Sequence, residues 1–452
     1  MTSQGGLTRC EEQAVANPIQ YLFCFLFEQR IQDALGARRR EKTLLTPPTP
    51  APPDTIDFAS NDILSLSSSG ALTKAFLREL AQNPDFAIAS PGGRVGGGPS
   101  AYLTQHEEHI AAVHGAESAT YFTSGYDANV AVWTALPAPG DVIVHDAAVH
   151  ASTYDGMRAS RAARSARIAF AHNDCDSFRE SLEAAKARFP EIAAGRRLVL
   201  VAVESFYSIA GDVVPIHRLL LTVGEVLPRG NFVFVIDEAH SNGLLGPGGA
   251  GFVSFWGLEA EMAVRVHTFG KAPGVTGAAV LASKNVKAML LSSARNLIFS
   301  TGPTFPVLAA LKASYGLITS QEGDRRRESL QRNIAHFYRH LDAHPQWSEA
   351  HRSGTLRVPL LRDWEIRPFQ TPIVTLYTQD GASTSLAGAL GGQKYRVQQG
   401  GYPFVARGSE GIRVMIHAGN TEGEVEGLVE AIMQWFAGCL KAADGSSRGC
   451  KL

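Results

Sequence analysis

Cysteine is scarce in this chain: Cys10, Cys24, Cys175, Cys439 and Cys450 are five in number and widely scattered. An odd, dispersed set excludes a disulfide framework and the paired spacing of a zinc site, and it points to a reducing compartment. Excess charge is lacking as well, since the formal net charge is −1. Nothing in that balance calls for a nucleic-acid or membrane-surface partner. Long apolar runs are also missing. The longest early one, Tyr21 to Phe27, is far short of the roughly 20 residues that span a bilayer, and a secretory cleavage pattern is absent. The only Gly-Lys pair, Gly270-Lys271, is followed by Ala272, so there is no G-x-x-x-x-G-K-[ST] phosphate loop. No internal repeat is evident.

What is present is a soluble-type composition over 452 residues, 45% of them hydrophobic, enough for two or three domains around a large core. The most informative stretch runs from Asn231 to Gly277. Five β-formers, Phe232 to Ile236, end in Asp237-Glu238-Ala239-His240 and turn through Gly243 and Gly246. A second apolar run, Val264 to Phe269, ends in Gly270-Lys271, followed by Gly274 and Gly277. Asp-Glu-Ala-His is also a helicase box, but that reading needs the absent phosphate loop. A lysine after glycine is usually a surface residue. Here it follows a strand next to one that ends in acid and imidazole, which suits a cofactor site at the carboxyl edge of a sheet. The chemistry that needs this set is that of pyridoxal phosphate (PLP): a lysine for the aldehyde and a carboxylate for the ring nitrogen.

Taken in order, Ile19 to Arg40 reads as an amphipathic helix that packs on the body, and Leu45 to Pro53 as a proline-rich linker. Between Ala119 and Ser283, short β-rich runs alternate with helical stretches, the pattern of an α/β domain with a mostly parallel sheet. After Phe305 the pattern shifts to a helix around Leu330 to Leu341, strands near Ile373–Tyr377 and Ile412–Ile416, and a closing helix. The expected organisation is an N-terminal helix and linker (1–56), a large domain (57–305), a smaller α+β domain (306–442) and a tail (443–452). Cys450-Lys451-Leu452 is a near relative of the Ser-Lys-Leu address, so the peroxisome and the cytoplasm are the two expected locations.

Other strand ends carry polar groups. Phe122 to Asn129 joins a strand to a helix start, where backbone N–H groups suit a phosphate. Asp141 to Ser152 ends a strand with His145, Asp146 and His150, and Glu204 to Ser208 follows another. The glycines at 92, 93 and 96–98 suggest a loop, near a ligand or on the surface. His106, His109 and His114 do not make a zinc motif and read as a solvated helix face.

Together these strand ends resemble the α-oxoamine synthases, PLP enzymes of fold type I that join an amino acid to an acyl thioester with loss of CO2. The matching segments are Phe58–Leu66, Phe122–Asn129, His150–Ser152, Phe170–Asp174, Glu204–Asp212, Asp237–Gly243, Thr268–Gly277 and Ile298–Thr301. The resemblance implies an aspartate-aminotransferase-like fold with a large sheet domain and a smaller C-terminal one. It implies that Lys271 holds PLP and moves the α-proton, that Asp237 pairs with the ring nitrogen, and that His240 bonds the ring's phenolic oxygen. His150 is expected to stack on the ring and help fix the substrate. Gly125, Tyr126 and Thr268 are expected at the phosphate, with Ser208 touching the cofactor and Glu204 beside it. Ser300 and Thr301 are expected to reach a phosphate across the interface of a homodimer. Asn61 and Arg413 are expected at the substrate, Arg413 as a bidentate clamp on the amino acid carboxylate.

Within the family the motifs are most similar to the branch that joins alanine to a pimeloyl thioester. Three departures point elsewhere. The family's arginine after the first helix falls on Leu45. Its Arg-Pro-Pro-Thr stretch is Gly401-Tyr402-Pro403-Phe404, and the Met-Asp of Ser-Met-Asp-Gly-Asp is Ile209-Ala210. A site with fewer cations is less suited to a diacid, so a longer or more apolar acyl or polyketide thioester, on coenzyme A or a carrier protein, is the alternative donor. An aminotransferase on the same fold is the alternative reaction.

Overall fold

The computed structural model describes residues 18–446 apart from 42, 46, 48–49, 91, 98–99, 380, 402–407 and 409, with only the helical backbone for 18–24 and 443–446. Tyr402, Pro403, Phe404 and the Cys450-Lys451-Leu452 tripeptide therefore lie outside the described residues.

The strands, in chain order, are β1 (Ile56–Asp57), β2 (Ser118–Phe122), β3 (Val142–Asp146), β4 (Arg167–Phe170), β5 (Val199–Glu204), β6 (Phe232–Asp237), β7 (Met262–Thr268), β8 (Ala278–Ala282), β9 (Leu356–Arg357), β10 (Ile373–Thr378), β11 (Tyr395–Arg396), β12 (Gln398–Gly400) and β13 (Gly411–Met415). Seven of them form one sheet in the order β2-β8-β7-β6-β5-β3-β4. β4, β3, β5, β6 and β7 run parallel, while β8 is antiparallel to both β7 and β2. The fold is α/β, as the alternation of short apolar runs and helices requires.

Such a sheet is covered on both faces, so its central strands are largely apolar on both sides, with polar groups mainly toward their ends. Every residue of β3 and β5 is buried. Along β5, Val199, Val201 and Val203 enter one core, and Leu200 and Ala202 enter the other. β6 repeats this, with Phe234 and Ile236 on the first side and Val235 on the second. Each such side chain contributes about 1.5–3 kcal/mol of burial. The second core lies under helices α1 (Gly125–Ala135) and α2 (Ala151–Arg158), through Ala128, Val132, Trp133 and Met157. Asp237, two residues after Val235, falls on that same side by the period of two.

The smaller sheet, β12-β13-β10-β9, is antiparallel. Helices α3 (Gln321–Ala343) and α4 (Glu422–Ser446) pack beside it. β1 pairs in parallel with β11, and Met415 N–H donates to the carbonyl of Phe58 at 2.8 Å. The Phe58–Leu66 segment is thus stitched to the C-terminal strands, which brings Asn61 to the same cleft as β13.

Two expectations are corrected. In the Pro18–Arg40 helix the described large apolar side chains Phe25, Leu26, Phe27 and Ile31 are exposed and not buried on the body of the chain. His106 and His114 do not belong to a solvated face either: both are buried, while His109 stays exposed. His114 bonds the carbonyl of Ala250 at 2.8 Å and the hydroxyl of Tyr315 at 2.9 Å. These partners are 136 and 201 residues away in sequence, out of reach of any local pattern.

Candidate active site

The parallel strands end at one edge, and register places their last residues side by side. Glu204 of β5 pairs with Asp237 of β6, while Thr268 of β7 and Phe122 of β2 both pair with Ala278 of β8. Just past these ends lie His150, Ser208, His240 and Lys271. Together with Asn61 and Arg413 they line a cavity of about 760 Å³. Its wall also includes Ala147, Ala148, Val149, Ile209 and Tyr377.

Lys271 sits on the loop between β7 and β8. That loop is closed by Phe269 N–H to Gly277 at 2.9 Å, Val275 N–H to Phe269 at 3.0 Å and Gly274 N–H to Lys271 at 2.8 Å. Among the described residues its Nζ makes no hydrogen bond or ion pair. Burial lowers its pKa to about 8, against the pull of Asp237 and Glu204, and Arg413 adds to the lowering. A lysine poised in this way is a nucleophile and a proton carrier near neutral pH.

Asp237 is buried and accepts hydrogen bonds from Asn129 Nδ2 at 2.7 Å and from Ala239 N–H at 2.8 Å. Glu204 is also buried. It accepts from the backbone N–H of His150, and burial together with the Asp237 charge pushes its pKa well above the carboxylate range. Glu204 therefore anchors the His150 loop from beneath and does not enter the cavity lining. His240 is buried, with its pKa held well below the usual value by burial and then by the Lys271 and Arg413 charges. Its Nδ1 is buried without a protein partner, an atom left for a bound group.

At the start of α1, a Cβ on Gly125 would lie 2.1 Å from Thr268 Oγ1. Only glycine lets the helix N-terminus come this close to β7, and the two together form an anion cradle. Tyr126 differs from its expected place: it is 45% exposed, and its hydroxyl donates to Asp155. Its backbone remains at the helix start, but its side chain points away from the cradle. Arg413, in mid-strand on β13, donates to Gln398 Oε1 at 3.0 Å, and its Nε is buried with no partner. Burial lowers its pKa to about 10.

Ser300 and Thr301 are not brought to this cavity. Both are exposed and line a small separate pocket with Arg94, Thr123 and Asn296. Thr301 pairs with Gly93, so the glycine cluster is held by this segment and not by the cavity of its own chain. Two residues missed by the motif reading are Asn129 and Ser152, which are buried beneath the site and bonded to Asp237 and His150. Both lie inside the quoted motifs, but only the crossing of α1 over the strand ends shows what they touch.

The donor set fits PLP. A nucleophilic lysine, a carboxylate beside it, an imidazole with an orphaned buried nitrogen and a glycine–threonine cradle at a helix N-terminus match aldehyde, ring nitrogen, phenolic oxygen and phosphate in turn. No group of three or more His, Cys, Asp or Glu among the described residues could hold a metal. No described helix is long and apolar enough to cross a membrane.

Comparison with known proteins agrees. Residues 53–432 match the aminotransferase class I and II family. An aminoacyl transferase, sphA, of Aspergillus fumigatus is 40% identical over 94% of this chain and 90% of its own. The 8-amino-7-oxononanoate synthase of Emericella nidulans is 42% identical over 88% of this chain and 93% of its own. In fold, the chain resembles the serine palmitoyltransferase of Sphingomonas wittichii, with a TM-score of 0.71 at 23% identity, covering 84% of this chain and 87% of the other. It also resembles the 8-amino-7-oxononanoate synthase of Francisella tularensis, with a TM-score of 0.64 at 23% identity, covering 84% and 97%. The chain belongs to the aminotransferase class I and II family and is a PLP-dependent acyltransferase of its α-oxoamine synthase branch.

Proposed function

We propose that the enzyme condenses L-alanine with an acyl-coenzyme A thioester, pimeloyl-CoA in the first reading, releasing thiol and CO2 and leaving an α-amino ketone. The observation that carries the reading is the cavity itself, whose lining brings Lys271, its pKa lowered by burial, together with the half-buried guanidinium of Arg413. The pimeloyl assignment is supported by the 42% identity to a protein named 8-amino-7-oxononanoate synthase.

PLP, when bound, supplies an electron sink for the charge that develops at the amino acid's α-carbon. The protein's own groups do the rest. Lys271 holds the cofactor, and its amine takes the α-proton and later returns one. Asp237 holds a proton at the ring nitrogen, and His240 donates from Nδ1 to the phenolic oxygen. Gly125, the backbone of Tyr126 and Thr268 would hold the phosphate, and Ser208 would contact the cofactor. His150 would cover the ring, with Glu204 accepting from its backbone N–H to keep its loop in place. Arg413 grips the amino acid carboxylate and Asn61 flanks it, until the new carbon–carbon bond to the acyl carbonyl has formed and the carboxylate departs as CO2. Ser300 and Thr301, exposed beside Phe299, which is itself 71% exposed, serve the site of a second copy in a homodimer.

A second reading of the donor is favoured by the lining. Among the described lining residues the cations are Lys271 and Arg413, and both are already assigned. The far carboxylate of a diacid then has no charged partner, whereas Ala147, Ala148, Val149 and Ile209 offer an apolar wall. A longer, more apolar acyl or polyketide thioester suits that wall. The test is free-thiol release from pimeloyl-CoA and from a longer-chain fatty acyl-CoA, each with and without L-alanine. Alanine-dependent release from pimeloyl-CoA that is lost in Lys271→Ala supports the first donor. Release only from the fatty donor selects the second, and no release from either refutes both donors with alanine and moves the assignment to another acyl thioester or amino acid.

A further inference from the structure

Beneath the cavity four side chains form one continuous chain of hydrogen bonds. Asn129 Nδ2 reaches Asp237 Oδ2 at 2.7 Å and Ser152 Oγ at 3.0 Å. Ser152 Oγ lies 2.7 Å from His150 Nδ1, and the backbone N–H of Ser152 donates to the same Nδ1 at 3.2 Å. Asn129 and Ser152 are 2% and 0% exposed, so the Asn129 bonds are shielded from water, while the two bonds to the exposed His150 are half-buried.

The direction of the chain follows from its chemistry. A backbone N–H can only donate, so His150 Nδ1 is an acceptor and carries no proton. The amide of Asn129 has two hydrogens, and both are in use, one toward Asp237 and one toward Ser152. Ser152 Oγ therefore accepts from Asn129 and passes its own hydrogen to Nδ1. The ring proton of a neutral His150 is left on Nε2. His150 caps helix α2 with this same Nδ1, so the ring cannot turn over without losing the cap.

We infer that Asn129 and Ser152 are positioning residues that lock His150 as a neutral imidazole with its N–H at Nε2, a hydrogen-bond donor and not a base. One amide thereby serves two groups of the site, steadying the Asp237 carboxylate and setting the tautomer of His150. The surroundings agree: burial lowers the pKa of His150, Lys271 adds to the lowering, and Asp237 opposes it. The other titratable neighbours are Glu204, which accepts from its backbone N–H, and the buried His240. The inference rests on the placement of His150 at the proposed site, and its test does not depend on turnover.

Histidine-labelled, PLP-loaded full chain is recorded by nitrogen-15 NMR, and His150 is identified among the 14 histidines by its loss in His150→Gln. The expected spectrum at neutral pH shows Nδ1 without a proton and Nε2 with one. In Ser152→Ala one of two donors to Nδ1 is gone, so protonation of His150 moves up by about one pH unit, an approximately tenfold larger charged fraction at fixed pH. Ser152→Thr restores the wild-type titration, and Asn129→Ala shifts it in the same direction as Ser152→Ala. A proton on Nδ1 in the wild type overturns the inference. So does an unchanged titration in both alanine variants. If those variants do not fold, the wild-type spectrum still decides. Absence of thiol release with the expected spectrum would refute the proposed reaction and leave this inference standing.

Discussion

The floor and the mouth of the cavity are built in different ways. At the floor, Asp237, Glu204, Asn129 and Ser152 are buried on strand ends and helix starts, each held by the sheet register or by a short chain of hydrogen bonds. At the mouth, Asn61, Gln398 and Gln399 are exposed, and Ile209 is 40% exposed. One departure from the family pattern, Ile209, stands at the mouth. On the proposed function, chemistry would reside where the backbone fixes the side chains, and choice of acyl donor where side chains can change without disturbing the sheet.

Breaking the floor gives the largest effect. Lys271→Ala is expected to lower thiol release by at least about a thousandfold, because it removes both the attachment point and the proton carrier. The variant's thermal midpoint, compared with the wild type, separates this from unfolding. Asp237→Asn leaves the Asn129 amide and the Ala239 N–H without their charged acceptor. Turnover is expected to fall about a hundredfold, the loss of charge-assisted bonds of about 1.5–3 kcal/mol. Arg413→Lys, between floor and mouth, keeps the charge and loses the fork. A KM for alanine raised about tenfold, with kcat changed less, is the expected kinetic signature.

His172 ties the two regions together. It bonds Asp146 at the end of β3 at 2.9 Å and Asp212 at 2.8 Å. Asp212 follows Gly211, which a Cβ would drive to 2.2 Å from the carbonyl of Ile373, so this turn presses on the smaller sheet while presenting Ser208 and Ile209 to the cavity. Burial lowers the pKa of His172, but the two carboxylates outweigh it and raise it to about 10. A pKa raised above the ordinary value near 6.5 gives stability that is complete below about 6.5 and lost as pH rises through about 10. Thermal midpoints measured from pH 6 to 10.5 should fall more steeply for the wild type than for His172→Gln. The mouth gives the smallest effect: Ile209→Arg is expected to shift the ratio of kcat/KM between pimeloyl-CoA and a fatty acyl-CoA about threefold to tenfold toward the diacid, as one exposed charge allows.

Much of the floor was legible in the sequence because parallel strands are short, apolar and terminated by the residues that do chemistry. The run before Glu204 and those at Phe232–Ile236 and Val264–Phe269 all became strands of one sheet. Asn129 and Ser152 were harder to see, since an amide one turn into a helix carries no periodic signal of what it faces. His114 was misread because its helix looks polar, while its partners, Ala250 and Tyr315, come from distant segments. The Pro18–Arg40 helix departs from expectation for the opposite reason: its described apolar residues Leu26, Phe27 and Ile31 are exposed.

The most direct test of the condensation uses alanine labelled in its carboxyl carbon, with the acyl-CoA that supports turnover. Condensation requires one labelled CO2 for each thiol released, with both lost in Lys271→Ala. Label retained in a keto acid, with no thiol released, would mean amino transfer and would contradict the assignment.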